Sequence, residues 1–333
     1  MLEILESINM KSVQCESFGP PENLKLIEID DLEPGPHQVR IDIEACGVNF
    51  PDTLIIEDKY QFKPPLPFSP GGEVSGIVSK LGSEVSGVEV GDKVMAMTLS
   101  GGFSEQILVD ASALLYRPEK MDGVIASGFT MTYGTSMHAL KQRANLKAGE
   151  SLLVLGAGGG VGLAAVEIGK AMGATVIAAA SSLKKLNAAK EAGADHLINY
   201  NKEDLRDSIR SLVGKKGVDV VYDPVGGEMF ERALRSTAWR GRALVVGFAS
   251  GEIPKVAINL ALLKGCSIVG VFWGAFRLNE TERDNENFQQ LFKWYNEGKL
   301  KPRVSEIFAL EDASIALRRI MNREAIGKIV LKI

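Results

Sequence analysis

The hydrophobic pattern of this chain changes period twice. From residue 10 to about residue 127, apolar residues come in short, mostly alternating runs at 24–29, 39–45, 76–81, 93–97 and 106–109. Proline and glycine clusters stand between them at 34–36, 64–65, 69–72 and 100–102. Short alternating runs predict half-buried strands and the clusters predict turns, so 10–127 reads as an irregular β-rich domain. From 128 to 273, continuous apolar runs recur at 152–155, 175–180, 196–198, 218–222, 243–246 and 268–272. Helical spacing fills the gaps, as in Leu186, Ala189 and Ala192. Strands apolar on both faces and separated by helices predict a doubly wound parallel sheet, giving an α/β chain overall. Beyond it the pattern predicts a helix over 286–296, a helix over 310–321 and a last strand over 327–331. This tail, 274–333, is expected to complete the first domain and leave 128–273 as an insert.

The junction after the first buried run is the most specific stretch. Residues 151–162 read Ser-Leu-Leu-Val-Leu-Gly-Ala-Gly-Gly-Gly-Val-Gly, and a helical pattern follows at once. Strand, glycine turn and helix N-terminus together make a dinucleotide site. Gly156 permits the tight turn, and Gly162 lets the helix pack close to the strand. Gly158, Gly159 and Gly160, with Val161 behind them, are expected to lie against the pyrophosphate with no Cβ in the way. At the end of the second strand, where an NAD site carries an acid, the chain reads Ala-Ala-Ala-Ser-Ser over 178–182. Nothing acidic there repels a 2′-phosphate. Ser181 can donate a hydrogen bond to it and Lys185 supplies charge, which predicts NADPH rather than NADH. Gly247, Phe248 and Ala249 follow the fifth strand; Phe272, Trp273 and Gly274 follow the sixth. Ligands of open α/β sheets bind at these strand ends, although aromatic residues there also serve as core.

Composition narrows the class. A length of 333 residues suits about two domains. With 45% hydrophobic and 24% charged residues, the composition is that of a globular protein. A net charge of −4 and scattered basic residues argue against nucleic-acid binding. No apolar run approaches the ~20 residues that span a bilayer, so no membrane partner is expected. Three cysteines, Cys15, Cys46 and Cys266, are too few and too dispersed for a disulfide framework and fit a reducing compartment. Residues 1–9 are acidic and lack arginine, unlike a signal or transit peptide. A cytoplasmic location is the expectation.

These motifs, taken with Gly47-Val48-Asn49-Phe50-Pro51-Asp52, Pro70-Gly71-Gly72-Glu73-Val74-Ser75-Gly76 and Ile198-Asn199-Tyr200, support a family assignment. The chain resembles the zinc-free quinone oxidoreductase branch of the medium-chain dehydrogenase/reductase superfamily over nearly its whole length. The resemblance implies a GroES-like β-rich catalytic domain plus a doubly wound Rossmann domain, and a homodimer joined through the sixth Rossmann strand. It also implies that Tyr200 closes the 2′-phosphate pocket and that Thr132 touches the cofactor. Zinc-dependent relatives place a cysteine and a histidine where this chain has Asn49 and Gly72. An amide is a poor zinc ligand and glycine has no side chain. Cys46 stands near but without partners, and His37, His138 and His196 lie elsewhere, so no metal is expected.

Three readings of activity stay open at this stage. One is NADPH-dependent hydride transfer to quinones or carbonyl-conjugated alkenes, which accept hydride without a strong Lewis acid. The second is a reductase of enoyl thioesters, and the third is a non-catalytic NADPH-binding protein. Asn49 is expected to donate a hydrogen bond to a substrate oxygen or to the nicotinamide ribose. Tyr60 resembles the tyrosine with which some enoyl reductases of the superfamily deliver or orient a proton; a plain surface-loop role is the alternative.

Overall fold

A computed structural model describes residues 9–333, so the acidic stretch read over 1–9 lies, but for Asn9, outside the described residues. The chain divides into two units: one runs to Thr130 and resumes at Val304–Ile333, and the other is Met131–Arg303. Among the described residues no helix is long and apolar enough to cross a membrane.

The first unit is organised around the strand Gln38–Val48. Its first half alternates, burying Val39, Ile41 and Ile43 on one face, whereas Ala45, Cys46 and Val48 near its end are buried on both faces. The added burial comes from two neighbours whose register is antiparallel. Val74 pairs with Cys46, and Ile329 pairs with Val48. The strands Glu73–Leu81 and Lys328–Lys332 therefore bring their first residues, Glu73 and Lys328, to the end of the central strand. Val304–Ala309, Lys93–Met97, Gln106–Asp110 and Leu115–Tyr116 complete this seven-stranded sheet. A separate hairpin pairs Asn9–Gln14 with Lys25–Asp30. A short helix that the apolar pattern does not announce, Phe50–Ile55, follows the central strand at once.

The second unit holds six parallel strands: Ser151–Leu155, Thr175–Ala180, His196–Asn199, Val218–Asp223, Thr237–Val245 and Ser267–Gly270. In space they run third, second, first, fourth, fifth, sixth. This is the order of a dinucleotide-binding sheet, with the switch point beside the first strand. Leu152 to Leu155 are fully buried, as continuous apolar strands must be. The fifth strand starts at Thr237, earlier than the apolar run suggests, and the sixth ends at Gly270, so Phe272 lies outside it.

The domain boundary expected at 273/274 falls instead at 303/304. The helices Trp273–Asn279 and Thr281–Asn296 belong to the nucleotide unit. The second of them buries Phe288 and Leu291, and its Asn287 is held by Lys141 Nζ and Gln142 Nε2 at 2.9 and 3.0 Å. Only from Val304 does the tail join the first unit, by pairing with Lys328–Lys332.

Candidate active site

The glycines of the turn are not equivalent. Gly156 has φ +57, which favours glycine, and an added Cβ would lie 2.8 Å from Val225 Cγ2. At Gly162 a Cβ would lie 2.9 Å from Ala157 Cα and run into the Gly156 carbonyl, so this position sets helix-to-strand packing. Gly158 accommodates protein rather than phosphate: its Cβ would lie 2.5 Å from Lys185 Cβ, because the lysine stem lies across it. The expectation that Gly158 is kept bare for the pyrophosphate is corrected accordingly. Gly159 is less crowded than Gly156, Gly158 and Gly162, its nearest prospective neighbour being the Gly156 carbonyl at 3.5 Å. It is the N-cap of the helix Gly160–Ala171 and carries no side chain to cap it. The free N–H groups of that first turn and the helix dipole suit an anion. Behind the turn, Val161 O accepts from Ser136 Oγ (3.0 Å), and the same hydroxyl meets Tyr222 Oη at 2.9 Å.

Ser181 and Tyr200 follow the ends of the second and third strands, whose last residues, Ala180 and Asn199, pair. Ser182 caps the helix Leu183–Glu191 by accepting from Lys185 N, and Asn201 Nδ2 donates to Ser181 O at 2.9 Å. Ser181, Lys185 and Tyr200 thus share one corner, half-buried, with no acid in the run 178–182. At the fourth and fifth strand ends, Ala249 N and Ser250 N donate to Pro224 O and Val225 O at 3.0 and 2.9 Å. These bonds tie the Gly247–Phe248–Ala249 loop to 223–227. Asp223 holds that second loop through Val225 N (2.7 Å) and Gly226 N (3.0 Å), and burial pushes its carboxyl up to about 6.

The two aromatic residues after the sixth strand part ways. Phe272 is 53% exposed, and Gly274 after it is exposed as well. Trp273 is 6% exposed; its indole N–H donates to Asp284 Oδ1 (2.8 Å) and its ring leaves no room for a side chain at Gly134. Trp273 is therefore a core residue of this unit, and its proposed cofactor contact is withdrawn. Thr132 is buried in the helix Thr130–Met137.

In the first unit, four polar residues meet where three strand ends converge. Asn49, Asp52, Glu73 and Lys328 are all at least nine-tenths buried. Lys328 Nζ donates to Asn49 Oδ1 and to Val48 O (3.2 Å), and it pairs with Glu73 Oε2 at 2.8 Å. Asn49 Nδ2 donates to Glu73 Oε2 (2.9 Å) and Gly47 O (3.2 Å). Asn49 N donates to Asp52 Oδ2 (2.7 Å) at the start of the helix. Burial drives the Asp52 carboxyl up to about 7, against the lowering effects of that N–H and of the Lys328 charge. Two glycines make the channel for the lysine: a Cβ on Gly128 would lie 2.6 Å from Lys328 Cγ, and one on Gly47 2.9 Å from Lys328 Cε.

The expectation that Asn49 donates to a substrate needs correction. An amide nitrogen has two N–H groups, and both point into the protein. What Asn49 has left is acceptor capacity on Oδ1. Sequence reasoning singled out Asn49 and missed Asp52, Glu73 and Lys328. The available signal was a charged residue heading each of two buried strands.

Tyr60 lies in the loop after the helix Phe50–Ile55, half-buried, its ring 6.2 Å from that of Phe62. Burial, and then the Asp52 charge, push its phenol above the ordinary value. Cys46 is fully buried and its thiol is pushed up by burial. A Cβ on Gly72 would lie 2.7 Å from Thr98 O, so the position has no space for a ligand side chain. Among the described residues no group of three or more His, Cys, Asp or Glu is placed to hold a metal ion.

Comparison with known proteins agrees with both halves of this picture. Residues 35–133 match the alcohol dehydrogenase GroES-like domain, and residues 160–297 match the zinc-binding dehydrogenase family. Quinone oxidoreductase-like protein 2 of Rattus norvegicus is 36% identical over 98% of this chain and 93% of its own length. The quinone oxidoreductase of Sus scrofa is 35% identical over 97% of each chain. Among solved structures, Escherichia coli quinone oxidoreductase complexed with NADPH superposes with a TM-score of 0.89 at 30% identity. That match covers 97% of this chain and all of the other.

Proposed function

The chain belongs to the quinone oxidoreductase branch of the medium-chain dehydrogenase/reductase superfamily, and from that premise we propose that it is an NADPH-dependent, zinc-independent oxidoreductase reducing quinones or carbonyl-conjugated alkenes. The observation that carries the reading is the nucleotide corner. An open cradle at Gly159 sits on a free helix N-terminus, the strand end where an NAD site would carry an acid has none, and Lys185 follows it in the next helix. The backbone N–H groups of 160 and 161, at the first turn of the helix, would hold the pyrophosphate; Ser181, Lys185 and Tyr200 would hold the 2′-phosphate. Thr132, the Gly247–Phe248–Ala249 loop, Phe272 and Gly274 are proposed to face the nicotinamide half. NADPH supplies the hydride when bound.

The protein's part in the chemistry is positioning and hydrogen bonding. Asn49 and Gly72, where zinc relatives carry ligands, offer one engaged amide and no side chain, so the donor set does not fit zinc. A substrate oxygen must then be stabilised by hydrogen bonds, which favours acceptors whose charge spreads over a conjugated system. Tyr60 is proposed to supply one such bond. With its pKa raised, the phenol stays protonated at neutral pH and acts as a donor that orients a carbonyl.

A homodimer is proposed through the sixth strand, which is a free edge of the sheet. Trp239, Ile258, Leu262 and Leu263, on the elements leading to that edge, are exposed, Trp239 at 72%.

The test is NADPH oxidation against a panel of quinones, enones, acyl-CoA enoates and simple alcohols. Turnover of quinones or enones and none of plain alcohols is expected. Turnover confined to acyl-CoA enoates would move the activity to thioester reduction. Tight NADPH binding with no turnover of any member would make the chain a binding protein.

A further inference from the structure

We propose that Lys328 is a positioning residue for this reaction, one that locks the Asn49 amide so that Asn49 presents a hydrogen-bond acceptor and never a donor. The inference rests on the oxidoreductase reading of the site and adds to it the direction of one hydrogen bond.

An ammonium has three N–H bonds and accepts nothing. Lys328 spends all three on Asn49 Oδ1, Val48 O (3.2 Å) and Glu73 Oε2 (2.8 Å). The atom of Asn49 that meets a pure donor must be its oxygen, so the flip of the amide follows from the lysine. Its NH2 group is then turned to Glu73 Oε2 (2.9 Å) and Gly47 O (3.2 Å), and both N–H bonds are consumed. Glu73, fully buried, is the counter-charge that keeps the ammonium there. Gly47 and Gly128 leave the lysine stem a single track. The Asn49 side chain also faces the Asp52 N–H at the helix start, so a ligand hydroxyl would share Oδ1 with that N–H. Asn49 therefore takes a ligand hydroxyl and turns away a bare carbonyl oxygen, so any donor to a substrate carbonyl has to come from another group.

A single Lys328→Met variant strands the Glu73 carboxylate and is expected to fold poorly, so the informative variant is the double Glu73→Gln, Lys328→Met. It removes the Glu73–Lys328 pair together, so neither charge is left buried without the other, and it frees Val48 O to accept from a flipped Asn49 amide. The double variant is expected to melt near the parent. Its kcat should fall, by up to about 10²-fold for a misplaced site group. Asn49→Ala should lose a similar amount, and adding it to the double variant should cost nothing more, because all three act through one amide. Parent-level kcat in the double variant would overturn the proposal and reduce Lys328 to a neutraliser of Glu73. Losses that multiply in the triple variant would overturn it too. A second readout is independent of activity: the Asn49 side-chain N–H signals should be protected from exchange with deuterated water in the parent and lose protection in the double variant. Unprotected signals in the parent refute the lock. If the parent turned over no quinone or enone, the functional reading would fall while this exchange measurement still decided the role of Lys328.

Discussion

Gly159→Val separates ligand space from packing space within one turn. The backbone at 159 has φ −83 and ψ 171, an extended conformation that valine adopts without strain. The protein itself barely objects, since only the Gly156 carbonyl, at 3.5 Å, is near the new Cβ. Replacing an N-cap glycine by a residue that caps poorly costs about 1 kcal/mol, or a fall in Tm of about 2–4 °C for a unit the size of Met131–Arg303. The open space that valine fills is where the pyrophosphate must approach. Losing one charge-assisted bond to a backbone N–H costs about 1.5–3 kcal/mol, which weakens NADPH binding by about ten- to a hundredfold. Gly162→Ala should behave the other way round. Its methyl runs first into the Gly156 carbonyl and then meets Ala157 Cα at 2.9 Å, so overpacking of about 1–3 kcal/mol falls on stability. Fluorescence titration with NADPH beside a thermal melt reads both quantities. A parent-like Kd in Gly159→Val would refute the dinucleotide cradle, and a parent-like Tm in Gly162→Ala would refute the packing argument.

Lys185→Glu should narrow or reverse a preference for NADPH over NADH; a charge-assisted contact of about 1.5–3 kcal/mol amounts to about one to two decades, and equal Kd values in the parent would sink the idea. Activity should survive chelation, and elemental analysis of protein purified without added zinc should find none at stoichiometric level; one zinc per chain would overturn the zinc-independent reading. Asp52, protonated up to about pH 7 in the fold but with an ordinary value of 3.8, makes the folded chain bind a proton that the unfolded chain has already released. Its contribution to stability is present below pH 4 and lost as pH rises to 7, with a slope approaching about 1.4 kcal/mol per pH unit. Asp52→Asn keeps an oxygen for the Asn49 N–H and should remove that slope; identical stability–pH curves for the two proteins would refute it. Light scattering should report a dimer that Trp239→Glu weakens, and a parent mass of 35.9 kDa at micromolar concentration would count against the edge-strand interface.

Much of this protein is local and therefore legible in one dimension. A strand buried on both faces must be apolar throughout, so the six strands of the nucleotide unit stand out from Leu152 to Ile268. The glycine turn and the corner of Ser181, Lys185 and Tyr200 span fewer than about fifty residues, within which strand–helix alternation already dictates geometry. Three things depended on tertiary structure. The segment 274–303 went to the nucleotide unit because helix Thr281–Asn296 buries Phe288 and Leu291 there, and an amphipathic helix does not state which core it will join. Gly158 and Lys185 meet only because the second helix starts above the first turn. The cluster of Asn49, Asp52, Glu73 and Lys328 joins residues nearly 280 positions apart through the register of three strands. A lysine beside a strand reads as solvated until a partner strand covers it, and the direction in which the Asn49 amide points is set by that lysine together with the Glu73 carboxylate.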